Sequence, residues 1–445
     1  MTNRRVVITG VGLISALGVG KEEYFEALLK GVTGVARIKS FDPIGFASQV
    51  GGESPQLSMS KIVPKSQRKA TKLMSRDIEL AVAAADCAVR DAGLKTKASH
   101  PDGPVDIDPV RSGVNIGAGL ICCDLVELAE AVQYGIENDK FSLGRWGREG
   151  MQHLTPLWLL KYLPNMLSCH ISIIYDLQGK SNSITCAEVS GLLAISEAYR
   201  NIAHGQADFM LAGGAECKVN PMALMRQCML NRASTNYNDR PAEAARPFDK
   251  NADGNVVGDG AAIVVLEELE HAKKRNATIY AEIKGAGASI NFNSEILSPE
   301  NVSQSAAIDS KGIEIAISQA IHSAGLEPGD IDLLIPHGLG LAEYDEAEAQ
   351  AICSVFGEGV NKVRVLTTKS RIGNCGAGAA AIDLATAVLV MKERTIPANL
   401  NCPNQPKRYN LNMASANISD ADINNALVSC YSYGGQTAAM VISKW

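Results

Sequence analysis

Ile184-Thr185-Cys186-Ala187-Glu188-Val189-Ser190-Gly191-Leu192 is the stretch whose reading decides this chain. Ser183-Ile184-Thr185 closes a short strand, and residues 188–203 carry an apolar face at helical spacing. An acid, Glu188, therefore stands at the start of a helix that follows directly on a strand. The exposed N–H groups of a helix start favour an acid there, and Thr185-x-x-Glu188 has capping-box spacing.

The same alternation extends outward from this turn. Upstream, the spacing predicts a helix over 71–90 that ends at Asp91-Ala92-Gly93, and a polar surface loop over 96–110. Val114-Asn115-Ile116 reads as a strand leading into Gly117-Ala118-Gly119, and 124–169 as mostly helical with an irregular stretch at 143–150. Downstream, 207–216 reads as a buried strand. Arg246-Pro247-Phe248-Asp249 opens a loop that ends at Val257-Gly258-Asp259-Gly260. Residues 261–267 follow as a strand and 268–275 as a short charged helix. The second half repeats the plan, with strands at 279–284, 332–336 and 365–368 and helices at 309–323, 344–356 and 376–391. Gly325 caps the first of these helices, and a closing strand–turn–strand centres on Gly434-Gly435. Buried strands beside alanine-rich helices mark an α/β chain of stacked sheet and helix layers. The pattern divides it into two similar halves, 1–260 and 261–445.

Composition narrows the function classes. The 445 residues are 46% hydrophobic, include 40 glycines and carry a formal net charge of −6. That is ample for a large core, and no long basic stripe exists to bind nucleic acid. Attraction of an acidic partner would need a local patch, which composition does not reveal. Eleven cysteines stand at irregular spacing, and Cys122-Cys123 is not a metal-type CxxC, so free thiols in a reducing compartment are expected. No leader-like pattern or membrane-length apolar run is present, and a cytoplasmic location with no membrane span is expected. Gly10, Gly12 and Gly18 follow the first strand, but Ser15 breaks the dinucleotide fingerprint; no cofactor and no metal are expected.

Taken together, several motifs resemble the β-ketoacyl-acyl-carrier-protein synthases of the thiolase superfamily. They are Arg5-Val6-Val7-Ile8-Thr9-Gly10-Val11-Gly12, Ala212-Gly213-Gly214-Ala215-Glu216, Arg246-Pro247-Phe248-Asp249-Lys250, Gly258-Asp259-Gly260, His337-Gly338, Thr368-Lys369-Ser370 and Tyr433-Gly434-Gly435. The likeness spans essentially the whole chain. It implies a thiolase-like five-layer αβαβα sandwich from two duplicated halves, dimers, and substrates delivered on acyl carrier protein. Active members use a cysteine at a helix N-terminus, two histidines, and an oxyanion hole of two backbone N–H groups.

The resemblance places Glu188 at the nucleophile position, His337 at the first histidine and Asn374 at the second. Lys369 matches the structural lysine and Glu348 the acid it is expected to meet, as a buried scaffold pair. The oxyanion-hole backbone falls on Glu188 and Tyr433. The pattern is only partly kept: both hydroxyls after His337 are lost in Gly338-Leu339-Gly340-Leu341, and Ile121 and Cys122 replace a glycine pair. Cys186 lies two residues from the nucleophile position, too far to serve. A carboxylate is a poor acyl acceptor, and asparagine cannot exchange a proton as histidine does. Glu188 either binds the helix end, mimics an acylated residue or pairs with His337, a pairing that would favour imidazolium.

The chain is thus similar in logic to the chain-length-factor subunits of type II polyketide synthases, although typical members carry glutamine at the nucleophile position. The expectation is a non-condensing subunit that forms a heterodimer with a cysteine-bearing ketosynthase and shapes the acyl tunnel. Leu224, Met225 and Met229 are tunnel candidates, with ordinary packing as the other reading. A malonyl-carrier-protein decarboxylase and a homodimeric acyl- or carrier-protein-binding scaffold remain open as alternatives.

Overall fold

Two five-stranded mixed sheets of the same topology carry the core. The computed structural model describes residues 4–291 and 309–445. In the first sheet β1 (Val6–Ser15), β2 (Ser112–Ala118), β3 (Ser181–Ile184), β4 (Phe209–Cys217) and β5 (Val257–Glu268) lie in the order β3-β2-β4-β5-β1. In the second, β6 (Ala281–Ile290), β7 (Leu333–Ile335), β8 (Arg364–Val365), β9 (Asn425–Tyr431) and β10 (Gln436–Lys444) lie in the order β8-β7-β9-β10-β6. Each sheet has two parallel ladders at one end and two antiparallel ladders at the other. The sheets meet where Val6–Ile8 of β1 pairs with Ala281–Ile283 of β6.

Alternation along the strands sorts side chains into separate layers. Ile263 and Val265 of β5 pack outward with α1 (Arg76–Asp91) and α3 (Met166–Tyr175), while Val264 points inward. In β10, Val441 packs outward with α6 (Ser310–Ser323) and α7 (Ala342–Phe356), while Met440 and Ile442 point inward. The middle layer is α4 (Ser190–Ala203) and α8 (Ala379–Glu393). Every residue of α8 from Ala379 to Met391 is buried, which suits a small-residue helix enclosed by both sheets. These are the five layers expected. A one-residue slip in β5 would exchange the two faces and empty both cores at once.

Several local expectations need correction. The helix expected over 71–90 begins at Arg76, after a separate 3-10 helix over Lys65–Leu73. The stretch 124–169 is broken: α2 (Leu125–Tyr134) is followed by a small hairpin, a short helix and two 3-10 turns before α3. Glycine and turn residues at 135, 138 and 139 interrupt the helical pattern there. The strand expected to start at 261 already pairs from Val257. All eleven cysteines are free, and only Cys375 and Cys430 are fully buried.

Candidate active site

The turn between β3 and α4 carries a left-handed residue, Ala187, at φ 50°. For an alanine that conformation costs roughly 1–2 kcal/mol, and it sets Glu188 inside the molecule at the end of α4. No capping box forms. Ser190 closes the turn instead, its Oγ accepting from the Cys186 N–H at 2.8 Å and donating to the Ala187 carbonyl at 2.6 Å. Gly191 is required by packing, because a Cβ there would sit 2.6 Å from the Ala377 carbonyl oxygen.

Glu188 is 1% exposed. Its Oε1 accepts from Lys218 Nζ at 2.7 Å and from Asn374 Nδ2 at 3.3 Å. Burial pushes the carboxyl up, but the Lys218 charge, with bonds from Lys218, from the residue's own N–H and from Asn374, holds it below the usual range. Burial likewise opposes charge on Lys218, and Glu188 with Glu216 overcomes it and raises the ammonium. Glu216, which acts on Lys218 through its charge, accepts the Ala377 N–H at 2.7 Å, and burial pushes its acid up.

His337 does not pair with Glu188. Its Nδ1 lies 3.3 Å from Cys430 Sγ, the Cys430 thiol also meets the Glu188 carbonyl oxygen at 3.4 Å, and Nε2 has no partner among the described residues. Burial, then the charges of Lys369 and Lys218, hold the imidazole well below its ordinary value. The site thus favours neutral imidazole, not the imidazolium that a Glu188 partner would have produced.

Lys369 and Glu348 do not form the expected pair either. Lys369 Nζ bonds Asp383 on α8, and Thr368 donates to the same carboxylate at 2.6 Å. Glu348 accepts the backbone N–H groups of His337 at 2.7 Å and Gly338 at 2.8 Å, and burial pushes its acid up to about 8. Asp345, three residues earlier on α7, takes the N–H groups of Leu339 and Gly340. The loop that lost its two hydroxyls is thus held by carboxylates from α7. Sequence matching placed Glu348 near this loop but assigned it the wrong partner, because Asp383 is one helix further along the chain.

Glu188 and Lys218 face a cavity of about 500 Å³, with Arg226, Arg232 and Tyr433 on its wall. His337 and Asn374 lie behind that wall, both 0% exposed. Arg232 stacks on the Tyr433 ring at 4.0 Å. None of the three tunnel candidates lines this cavity. Leu224 packs with Ile38, Val219 and Val257, whereas Met225 and Met229 are exposed. The helix α5 (Pro221–Met229) turns Ala223, Arg226 and Gln227 toward the cavity instead.

Two functional features escaped sequence reasoning. Glu216 and Lys218 share one side of the end of β4, and their i, i+2 spacing was the available signal. The second is a basic surface. The 3-10 helix Lys65–Leu73 exposes Lys65, Arg68, Lys69 and Lys72 with no acid among them. None of the four makes an ion pair among the described residues. Among the described residues there is also no cluster able to hold a metal ion, and no helix long and apolar enough to cross a membrane.

A duplicated five-layer fold with a strand–turn–helix site between its halves defines a thiolase-type protein. More narrowly, the chain belongs to the β-ketoacyl synthase family: residues 3–272 match the model of the β-ketoacyl synthase N-terminal domain and residues 280–403 that of the C-terminal domain. It is 33% identical to a 3-oxoacyl-[acyl-carrier-protein] synthase 2 of Coxiella burnetii, over all of this chain and 99% of that one. A protein of the same name from Rhizobium meliloti is 31% identical over 99% of each chain. Among solved structures, the ishigamide ketosynthase/chain length factor matches with a TM-score of 0.82 and 26% identity, over 100% of both chains. AntDE:AntF, a type II polyketide synthase acyl-carrier protein in complex with its ketosynthase, matches at 0.80 and 25% over 100% of both chains.

Proposed function

We propose that this chain is a non-condensing member of the family that pairs with a cysteine-bearing ketosynthase and helps shape the site for the growing acyl chain. One observation carries the reading. Glu188, which the motif order puts at the nucleophile position in this reading, has its Oε1 committed to Lys218 and Asn374. A carboxylate would have to form an anhydride to carry an acyl chain, and water would destroy it. Asn374 at the second histidine position cannot exchange a proton, and its Oδ1 is engaged by the Gly376 N–H. The site residues are thus a scaffold: Glu188 and Lys218 fill the old nucleophile pocket, Lys369 and Asp383 brace α8, and Glu348 fixes the His337 loop.

Assembly and delivery fit this reading. Among the described residues, edge strand β3 pairs only with β2 and exposes Ser181 and Asn182, leaving a ladder for a partner subunit. The basic Lys65–Leu73 helix suits an acidic carrier protein. The deciding experiment incubates the purified chain, alone and with a cysteine-bearing paralogue, with malonyl- and acyl-carrier protein, following intact mass and carbon dioxide. No adduct and no release alone, with elongation by a stable complex, is the expected result. Carbon dioxide release by the single chain would make it a decarboxylase. A stable homodimer that binds carrier protein without turnover would make it a scaffold.

A further inference from the structure

The cavity at Glu188 has an unusual electrostatic lining for a site that accepts a hydrocarbon chain. Leu120, Ile121, Pro164 and Leu230 form its apolar wall, and the acid Glu216 also lines it. Its lining also carries two guanidinium groups. Arg226 reaches the Cys122 thiol at 3.7 Å and its charge acts on Glu216, while Arg232 lies on the Tyr433 ring and bonds the Tyr344 hydroxyl. Neither is within ion-pair distance of a carboxylate among the described residues. Glu188 is already committed there, its Oε1 accepting from Lys218 and Asn374.

We infer that this cavity accepts an acyl ligand whose chain ends in a carboxylate held by Arg226 and Arg232. The planar guanidinium fork matches a carboxylate in two-point contact, and such charge-assisted bonds are the strong ones in a partly enclosed site. Stacking on Tyr433 holds the Arg232 plane in place, which reduces the entropy lost when an anion is bound. A plain alkyl chain would leave both guanidinium groups without new partners and would gain only the contact with the apolar wall. The inference rests on reading the cavity as the acyl site of a β-ketoacyl synthase fold.

Calorimetric titration of the purified chain tests it with three probes: hexanoyl-pantetheine, adipyl-pantetheine and phosphopantetheine. The first two share the arm and its amide N–H groups and differ in the terminal carboxylate. Adipyl-pantetheine is expected to bind roughly tenfold or more tightly than hexanoyl-pantetheine, and Arg226→Gln and Arg232→Gln should each shrink that preference. Equal binding of the two thioesters by the unmodified chain would overturn the inference and leave the acyl-site reading standing. Binding of neither would overturn both. Tight binding of phosphopantetheine that is lost in the two arginine variants would show that these residues read the phosphate of the arm, and would also overturn the inference. The comparison on the unmodified chain decides the matter even if a variant fails to fold.

Discussion

Lys218 Nζ lies 2.7 Å from Glu188 Oε1, with side-chain exposures of 9% and 1%. The two residues are 30 positions apart. Desolvating both charges is expensive, so the pair persists only because its geometry is good and Asn374 adds a further bond. At the turn between β3 and α4 the chain thus holds a closed, buried ion pair.

Removing one partner should therefore cost far more than removing both. Lys218→Met leaves an uncompensated carboxylate and is expected to destabilise the chain by roughly 3–5 kcal/mol. The double change Lys218→Met with Glu188→Gln should recover much of that loss. Urea unfolding midpoints of the two single variants and the double variant check the coupling, and additive losses would sink it.

Glu188→Cys should convert the ion pair into a reactive thiol. Lys218 would then lie next to the new sulfur and favour thiolate. We expect rapid alkylation at position 188 by iodoacetamide, read by peptide mass spectrometry, while Cys375 and Cys430 stay unlabelled because burial pushes their thiols up. The same variant should take an acyl group from acyl-carrier protein yet elongate only when Asn374→His is added. Elongation by the single variant would show that Asn374 is no obstacle.

Stability should fall as pH rises from acid to neutral. Burial raises Asp77 from 3.8 to about 7, and Asp345 from the same value to about 7. The folded state therefore holds these protons more tightly than the unfolded chain does. Their contribution is complete below 3.8 and is lost progressively as pH climbs through about 7. Each group contributes a slope of at most about 1.4 kcal/mol per pH unit in that window. Glu267, which Arg275 and His271 hold at about 2 against its burial, works in the opposite sense at lower pH. Melting temperatures between about pH 5 and pH 8 should drop, and Asp77→Asn should flatten the drop. An unchanged slope in that variant would remove Asp77 from the account.

Charge reversal at Lys65 and Lys69 should weaken carrier-protein binding by roughly tenfold at low salt and reduce its salt dependence. Both side chains are exposed and free of ion pairs among the described residues, so the fold should be unaffected. Surface plasmon resonance at two salt concentrations reads this directly. Unchanged affinity would move the docking face elsewhere.

Much of the architecture was legible beforehand because it is written in local patterns. Continuous apolar runs marked β4 and β5, the small-residue run marked α8, and Gly325 marked the end of α6. The broken stretch after α2 was not, since short helices and 3-10 turns have too few residues for a period to show. Glu188, His337, Asn374 and Lys369 were named from motif order alone. Their partners were not: Lys369 was matched to Glu348, and it is Asp383 that it meets.

The difference has a physical basis. Backbone periodicity and motif spacing depend on neighbours a few residues away, so the sequence by itself determined the layers, the duplicated strand plan and the presence of an acid at the helix start. The partner of a buried charge depends on which distant side chains packing brings within about 3 Å. Asn374 reaches Glu188 across 186 residues, and Cys430 reaches its carbonyl across 242. Long-range packing is what brings Lys218 to Glu188, leaves His337 neutral against Cys430, and lines the cavity in front of Glu188 with charge.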